Sequence, residues 1–419
     1  MSSPSRTERP ARVIQIAGAT DNAEWLVQIC RRLRDSGYEA TAIIGEPERT
    51  LASQLRAANV PFDTMALSFA PQSGRLRLLV YMVRFPLAVL RLAWRFRRLR
   101  ADIVHTHIFN SIVIGRLAAW IARVPHRVAM VPGPLHLEAP FTRWVDRLTW
   151  WMDDRVISGC KWTRDRYRAL GMTEPRLACI GYGADAARFD PMRSDAARVR
   201  RELGVAAGAP LVGLVAHFYP PRRDWQTPPS MRGRGVKGHE DFIEAARLIH
   251  ADRPEAKFLL VGGGWGPAGE RYRSALESRC RAEGLGDAIL FTGHRTDIPD
   301  VLAALDVAVQ CSLTENFGGT IEALLMERPM VATRVGGMPE TVRHGRTGLL
   351  VPPRDPRAMA AAVLDLLDHP IRGRELARAG RQLMLDRHQI SETASAISRL
   401  YDGLLGAPAR AVTPSGERA

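Results

Sequence analysis

The chain of 419 residues has few cysteines, and their arrangement indicates neither a disulfide framework nor a metal site. The five cysteines are dispersed and form no CxxC pair: Cys30, Cys160, Cys179, Cys280 and Cys311. A dispersed, odd set without a secretory signal is typical of reduced thiols, so we predict a cytoplasmic protein. No acidic pair of the DxD type follows a predicted strand, and we therefore predict no metal and no other cofactor.

Long apolar runs are also absent, because no stretch approaches the ~18 charge-free residues of a transmembrane helix. The net charge of +15, from 59 Lys and Arg against 44 Asp and Glu, favours an anionic partner. Much of the excess lies in residues 73–102, where arginines are interspersed with leucine, phenylalanine and tryptophan. This region predicts either a helix packed on a sheet or an interfacial segment on the inner face of the cell membrane.

Apolar β-branched runs alternate with amphipathic helical patterns through most of the chain. Strands this apolar, separated by single helices, are typical of parallel sheets covered on both faces. We predict strands at 13–18, 40–45, 102–107, 127–133, 155–159 and 176–181, and then at 210–217, 257–263, 288–293, 306–311, 329–334 and 348–353. The predicted fold is α/β, with two doubly wound Rossmann-like domains facing across a cleft. The predicted boundaries are a disordered tail (1–11), two domains (12–185 and 186–388), a C-terminal helix packing back on the first domain (389–406) and a disordered tail (407–419).

Unusual residues follow the ends of several predicted strands, where open parallel sheets bind their ligands. His105 and His107 end one strand, and we place them on opposite faces as two unrelated histidines rather than as part of a metal site. Three tryptophans, Trp144, Trp150 and Trp151, follow another strand, and we expect them to pack in a core or at a domain edge. Contact with an apolar acceptor is the alternative for these tryptophans.

Residues 262–269, GGGWGPAG, contain a literal GxGxxG between a predicted strand and a helix. Pro267 within the turn and the lack of an acidic residue after the next strand argue against a dinucleotide site. A glycine-rich turn that brings a phosphate close to backbone amides stays open as an interpretation.

The stretch 314–340, TENFGGTIEALLMERPMVATRVGGMPE, places Glu315 and Glu322 on either side of Gly318 and Gly319. Taken alone, Glu322 reads as a first-turn carboxylate that complements a helix dipole. That interpretation explains neither Glu315 nor the two glycines. Carboxylates accept hydrogen bonds from vicinal diols, and glycines let an oxygen-rich ligand approach backbone amides. The stretch therefore predicts a sugar-nucleotide site, with one carboxylate for the ribose and one for the transferred sugar.

In these motifs and their order, from about residue 12 to about residue 405, the chain resembles the retaining GT-B glycosyltransferases of the family 4 type. The motifs that carry the resemblance are DIVHTH, PGPLHLE, IGYGADAARFDP, VKGHEDFIEAARLI, FLLVGGG, FTGHRTDIPDVLAALDVAV, TENFGGTIEALLMERPMVATRVGGMPE and HGRTGLLVPPRDP. The resemblance implies transfer of a sugar from a nucleoside-diphosphate sugar, without metal, to a glycan or lipid-linked acceptor. It also implies that the first domain holds the acceptor and the second the donor.

The resemblance implies catalytic roles for His136 beside the transferred sugar, for Lys237 on the diphosphate and for Glu315 on the donor sugar. Glu322 would take the ribose hydroxyls, and Arg295 lies in the turn whose backbone meets the base. The implied donor-binding residues are His217, Gly262, Gly263, Arg295, Asn316, Phe317, Gly318, Gly319, Thr320 and Glu322.

Two features depart from the family pattern. Six residues separate Glu315 from Glu322 where the family has seven, so we expect a tighter turn. His217 stands where family members usually carry an arginine, and a segment rich in arginine and proline delays Lys237. The missing phosphate contact is then expected from one of four arginines: Arg222, Arg223, Arg232 or Arg234.

Two other functions remain as alternatives. A GT-B nucleotide-sugar epimerase would share the cleft but needs further acids for proton transfer at the sugar carbon, and the sequence shows none. A nucleic-acid-binding protein would fit the charge, but no recognition helix, zinc-finger spacing or stacking platform is evident. We therefore predict no nucleic-acid partner.

Overall fold

The computed structural model of the chain describes residues 9–18, 23–45, 49–67, 75–131, 133–222 and 227–406. The chain divides into two compact units, residues 1–132, 141–183 and 390–419, and residues 133–140 and 184–389. The tails predicted at 1–11 and 407–419 lie outside the described residues, apart from residues 9–11. There Arg9 donates two hydrogen bonds of 3.0 Å to Asp102, and Ala11 is buried, so the predicted tail extends too far into the first unit.

The first unit contains a parallel sheet of seven strands in the order β3-β2-β1-β4-β5-β6-β7. The strands are β1 (Arg12–Ala17), β2 (Glu39–Ile44), β3 (Phe62–Thr64), β4 (Ile103–His107), β5 (His126–Val131), β6 (Arg155–Ser158) and β7 (Leu177–Cys179). Every residue of the central strand β4 is buried, as expected of a strand covered on both faces. The sequence interpretation missed β3, a half-buried edge strand of three residues.

The second unit contains a parallel sheet of six strands in the order β10-β9-β8-β11-β12-β13. The strands are β8 (Leu211–Val215), β9 (Lys257–Val261), β10 (Ile289–Gly293), β11 (Val307–Gln310), β12 (Met330–Thr333) and β13 (Leu349–Val351). All six were predicted within a few residues, because their buried apolar runs are bounded by glycine, proline or polar residues. Two parallel sheets covered by helices confirm the predicted α/β fold class.

Helices connect the strands in both units. In the first unit they are α1 (Glu24–Asp35), α2 (Arg49–Ala57), α3 (Arg75–Leu99), α4 (Phe109–Ala122), α6 (Pro140–Thr149), α7 (Lys161–Ala169) and α16 (Ile390–Leu405). In the second unit they are α5 (Leu135–Glu138), α8 (Ala196–Glu202), α9 (His239–Asp252), α10 (Gly266–Ala282), α11 (Ile298–Ala304), α12 (Thr320–Leu325), α13 (Met338–Thr341), α14 (Pro356–Asp368) and α15 (Pro370–Arg387).

His105 and His107 lie on the same face of β4, so the expectation of opposite faces was wrong. Alternate residues of a strand share a face, and the two rings lie 4.3 Å apart. Nδ1 of His105 lies 2.6 Å from the Tyr401 hydroxyl on α16, and Nε2 of His107 lies 2.7 Å from Oε1 of Gln15. Gln15 in turn donates to Tyr401 over 2.9 Å. This buried polar network fixes the C-terminal helix to the centre of the first sheet.

Two of the three tryptophans expected to be packed are instead exposed. Trp144 and Trp151 leave 58% and 50% of their surface open, while Trp150 is half-buried beside Tyr167. The inward face of α6 is occupied by Asp146, which binds Arg116 of α4 over 2.9 Å. Because residues two apart on a helix point in roughly opposite directions, burying Asp146 turns Trp144 outward.

Candidate active site

The loops that follow β8, β9, β10 and β11 place most of the predicted site residues at the C-terminal edge of the second sheet. Lys237 and Gly238 pack directly on Cys311, the residue that follows β11. Gly238 has a φ of 72°, and a Cβ there would lie 2.1 Å from the carbonyl oxygen of Cys311. The Leu313 amide donates to the Val236 carbonyl over 2.8 Å. The backbone therefore holds the Lys-Gly turn against the start of the Glu315 loop.

Lys237 and Glu315 form an ion pair between Nζ and Oε2, although they are 78 positions apart in the chain. Their side chains are only 19% and 14% exposed, so solvent screens the pair weakly. The other carboxylate oxygen of Glu315 accepts from the Asn316 amide over 3.2 Å. The structure thus brings together two of the three predicted catalytic residues.

Lys237 carries a positive charge in this setting. Burial alone would lower the pKa of Lys237, but the carboxylate of Glu315, with smaller effects from Tyr219 and Glu322, raises this pKa above its ordinary value. A cation paired with Glu315 at the end of a sheet can compensate the negative charge of a diphosphate. If Lys237 turns to a diphosphate, the carboxylate of Glu315 is released from the ion pair and can accept hydrogen bonds from sugar hydroxyls.

The glycine turn between the two glutamates lies beside the ends of β8 and β11. Gly318 has a φ of 55°, and a Cβ there would lie 2.9 Å from Nε2 of the Gln310 side chain. A Cβ at Gly319 would lie 3.6 Å from the carbonyl oxygen of Val215. A side chain at Gly318 would therefore be strained by the positive φ and would crowd Gln310, so the turn needs glycine at this position. Gly319 has a φ of −82°, and a Cβ there would approach Gln310 no closer than 3.3 Å, so its backbone is open rather than strained.

The other residues of this loop are packed into the second unit and hold the turn in place. Phe317 is buried, and its ring lies 4.9 Å from His388. Thr320 donates to the Phe317 carbonyl over 2.6 Å, at the start of α12. Asn316 is also buried. These three residues position the loop, and the six-residue spacing between the glutamates places Glu322 in the first turn of α12.

Glu322 is half-buried, and its Oε2 atom has no hydrogen-bond partner among the described residues. Burial raises the pKa of Glu322, while its own backbone amide and the cations Arg188 and Lys237 oppose this rise. A buried acceptor without a partner carries an energetic penalty that a ligand hydroxyl would remove. Arg188 was not predicted as a site residue, although it lies in the family motif at residues 180–191.

His136 belongs to the second unit, because the segment 133–140 is grouped with that unit and not with the surrounding chain. His136 is buried on the short helix α5. On the same turn, Glu138 accepts a hydrogen bond of 2.7 Å from the hydroxyl of Thr314, the neighbour of Glu315. The sequence offered a signal for Glu138 only through its place in the motif PGPLHLE, two residues after His136.

His217 lies in a cluster of aromatic rings after β8. Its ring lies 5.5 Å from Trp265 and stacks at 6.3 Å on His294, which follows β10. Nearby, Gly262 has a φ of 149°, and a Cβ there would lie 2.1 Å from the carbonyl oxygen of Ala216. A Cβ at Gly263 would meet only His294, at 3.7 Å. Gly262 therefore lets β9 approach β8, and Gly263 leaves open space at the sheet edge.

The literal GxGxxG has a packing explanation. A Cβ at Gly264 would lie 2.0 Å from the Glu270 amide nitrogen, and one at Gly269 would lie 2.5 Å from the Phe218 carbonyl oxygen. The Gly264 amide already donates to the Glu270 carboxylate over 3.0 Å. These contacts fix the turn on α10 and on the neighbouring loop, and they supply no support for a phosphate at Gly264.

The Arg295 side chain is engaged by acidic residues. It binds both carboxylate oxygens of Glu202 and pairs with Asp297 over 2.6 Å, and hydrogen bonds to these carboxylates raise the pKa of Arg295. Arg198 of α8 joins the network by pairing with Asp297 and Asp300. The guanidinium of Arg295 thus connects α8 to the turn after β10. The backbone of this turn is then the part suited to a ligand.

The four arginines considered for the diphosphate are in different situations. Arg234 pairs with the buried Asp241 over 3.7 Å, whereas Arg222 and Arg232 are exposed. Arg223 lies outside the described residues. Across the described part of the chain, no group of three or more His, Cys, Asp or Glu side chains is arranged to hold a metal ion.

Comparison with known proteins identifies the class to which this fold and site belong. The family model "Glycosyl transferases group 1" matches residues 230–369, and the model "Glycosyl transferase 4-like domain" matches residues 24–183. The crystal structure of Anabaena HepE in complex with UDP and glucose superposes with a TM-score of 0.77 at 21% identity, over 93% of this chain and 99% of that one. The chain belongs to the glycosyl transferases of group 1, and its fold is GT-B.

Two curated relatives show the range of similar enzymes. The D-inositol 3-phosphate glycosyltransferase of Acidothermus cellulolyticus is 29% identical over 403 residues, which cover 88% of this chain and 85% of the relative. The lipopolysaccharide core biosynthesis mannosyltransferase LpsB of Rhizobium meliloti is 31% identical over 229 residues, covering 54% and 60%. The activity of this chain is therefore glycosyl transfer.

Proposed function

We propose that the protein is a retaining, metal-independent glycosyltransferase that uses a nucleoside-diphosphate sugar. The observation that carries this proposal is the Lys237–Glu315 pair beside the Gly318–Gly319 turn, with Glu322 half-buried nearby. Support for the donor also comes from the solved relative that binds UDP and glucose.

In this proposal the donor diphosphate binds at Lys237, and the transferred sugar binds at Glu315. The bond between the anomeric carbon and the diphosphate oxygen breaks, the acceptor oxygen takes its place on the same face, and the acceptor proton leaves with the diphosphate. The charge that develops on the leaving diphosphate is compensated by Lys237, where a preorganised group of this kind contributes about a hundred- to a thousand-fold in rate.

His136 lies beside the transferred sugar in this assignment. The contact of Glu138 with Thr314 supports it, because it ties the turn that carries His136 to the residue preceding Glu315. The Gly318–Gly319 backbone binds donor oxygens, Glu322 accepts from the ribose hydroxyls, and His217 with Gly262 and Gly263 lines the edge near the diphosphate and base.

The donor site is tested by substitutions at Lys237 and Glu322. Lys237→Ala should abolish turnover, and Glu322→Gln should lower the thermal stabilisation produced by nucleoside diphosphates and their sugars, since a ligand of the folded state raises the melting temperature. Lys257→Ala is the matched control, because Lys257 begins β9 at the opposite end of the sheet. Wild-type turnover by both site variants would place the donor site elsewhere.

Metal independence is tested with a chelator. Activity should persist in excess EDTA, because Lys237 compensates the diphosphate charge in this proposal. Complete loss of activity that Mg²⁺ or Mn²⁺ restores would overturn this part of the assignment.

We propose a lipid-linked or cell-surface glycan precursor as the acceptor, reached from the cytoplasmic face of an anionic membrane. None of the described helices is long and apolar enough to span a bilayer. The described part of α3 exposes Val83, Leu87, Leu90 and Trp94, at helical spacing, together with Arg84, Arg91 and Arg98. Each such arginine contributes about 1 kcal/mol near an anionic leaflet.

Flotation with anionic and neutral liposomes tests this location. We expect the protein to float with anionic vesicles at low salt and to float less with neutral vesicles. Equal failure with both would leave an acceptor free in solution as the better interpretation.

A further inference from the structure

Exposed large apolar side chains are concentrated in one part of the first unit. Of the eleven found among the described residues, four lie on α3 and five lie on α4, α6 and the 3-10 turn Trp150–Met152. We call these five the aromatic patch: Trp120, Phe141, Trp144, Leu148 and Trp151 are each between 49% and 58% exposed. Clustered exposure of this kind marks an interaction surface, whereas isolated apolar residues do not.

The aromatic patch is continuous. Phe141, Trp144, Leu148 and Trp151 follow one another at spacings of three and four residues along α6 and the turn, which places them on one side. Trp120, at the end of α4, meets Trp151 edge to face with ring centroids 6.1 Å apart. Three indole rings and a phenyl ring are thus presented together.

A buried network supports the aromatic patch from beneath. The fully buried Arg116 of α4 binds Asp146 over 2.9 Å and Asp153 over 2.6 Å. The Tyr167 hydroxyl donates to the second oxygen of Asp146 over 2.8 Å. These bonds fix α4, α6 and the following turn to one another, so the tryptophans are held outward by packed structure and not by a free loop.

The surroundings of the aromatic patch are basic. Residues 75–154 contain only five acidic residues, Asp102, Glu138, Asp146, Asp153 and Asp154. Those of the first unit are neutralised by arginine: Asp102 accepts from Arg9, Asp146 and Asp153 are buried against Arg116, and Asp154 pairs with Arg127. Exposed arginines lie beside the aromatic patch: Arg123 at the end of α4, Arg147 on α6, and Arg97 of α3, which donates to the Ile121 carbonyl next to Trp120.

Charge and side-chain type together select the partner. A second copy of this chain would bring two basic surfaces together, which costs energy. An anionic leaflet attracts the arginines, and tryptophan is enriched at membrane–water interfaces because its ring is apolar and its N–H is polar. We infer that the aromatic patch inserts into the interface of an anionic membrane as an apolar contact distinct from the basic face of α3.

This inference rests on the membrane location proposed above and deepens it. Attraction of the α3 arginines to anionic lipid is electrostatic, so salt screens it, with a Debye length of about 3 Å at about 1 M. Apolar contacts are not screened, neither those of the aromatic patch nor those of the exposed apolar side chains of α3. At high salt, substitutions in the aromatic patch therefore measure its share of the apolar contact.

The test is vesicle flotation of the full chain with phosphatidylcholine vesicles containing phosphatidylglycerol, at low salt and at about 1 M salt. The variants are Trp144→Gln with Trp151→Gln, and Met192→Gln as the control, because Met192 is an exposed apolar residue of the second unit. Wild type and the control should stay bound at high salt. The double variant should partition at least about ten-fold more weakly, since it removes two apolar contacts.

Two outcomes would overturn insertion of the aromatic patch and leave the α3 contact intact. One is release of wild type by high salt, and the other is a double variant that stays bound like wild type. Failure of wild type to float at low salt would overturn both membrane contacts. Thermal stabilisation by nucleoside diphosphates is measured on the same samples, so a failure of the donor assignment is seen separately. Each variant should retain that stabilisation, because neither substitution touches the donor site.

Discussion

The first unit should lose stability in acid because two of its buried histidines are held neutral. Burial lowers the pKa of His105 to about 3, and burial together with His105 lowers the pKa of His107 well below its usual range. The hydrogen bond of His105 requires the neutral form. Gln15 donates to the Tyr401 hydroxyl, which directs the Tyr401 hydrogen onto Nδ1 of His105. A protonated His105 would place an N–H against that O–H.

The size and sign of the effect follow from linkage. Histidine in an unfolded chain has a pKa of about 6.5, so between about pH 6.5 and about pH 3 the unfolded state binds more protons than the folded state. The folded state is therefore most stable above this pH range, and it loses stability as the pH falls through the range. His105 changes the free energy of unfolding by about 1.4 kcal/mol per pH unit in this range, which gives about 2 kcal/mol at about pH 5. His107 acts in the same direction, and the typical total is about 5–15 kcal/mol.

Urea unfolding followed by circular dichroism at several pH values measures this loss. We expect His105→Gln to reduce the drop between about pH 8 and about pH 5 by about 2 kcal/mol, and His107→Gln to reduce it in the same direction. The loss of stability between the two pH values is compared within each variant, so the direct effect of the substitution on stability cancels. His239 of the second unit, with a pKa lowered by burial to about 3, adds the same acid sensitivity to every variant. A His105→Gln protein that loses as much stability in acid as wild type would refute the reasoning.

Two further predictions concern packing around the sites. Gly238→Ala should abolish thermal stabilisation by nucleoside diphosphates, because its Cβ would lie 2.1 Å from the Cys311 carbonyl oxygen. Gly233→Ala, with a similar φ of 70° and nothing within 4 Å, should cost only about 1 kcal/mol. Equal behaviour of these two variants would contradict the close approach. Arg116→Met should lower the free energy of unfolding by about 3–5 kcal/mol in urea, because it leaves Asp146 and Asp153 buried without their partner. A loss below about 1 kcal/mol would show that these aspartates do not depend on Arg116.

Most strands could be predicted from the sequence because each is a short apolar run between residues that end it. The edge strand β3 was missed, since Phe62–Thr64 is short and half-buried and carries no such run. The exposure of Trp144 and Trp151 was also missed. Helix α6 is amphipathic, but its pattern does not show which side faces inward. Only the bond between Asp146 and Arg116 of α4 shows this.

The sequence by itself determined the order of strands and helices and the residue types of the candidate site. Hydrophobic periodicity, and the glycine and proline residues that end an element, depend only on neighbouring residues, so they are evident without a structure. Only the tertiary structure decided which distant residues meet: Lys237 with Glu315 across 78 residues, and His105 with Tyr401 across 296. It also placed His136 and Glu138 in the second unit, away from their neighbours in the chain. Such contacts depend on how parallel strands are ordered and how loops pack at their ends, and local sequence does not encode either.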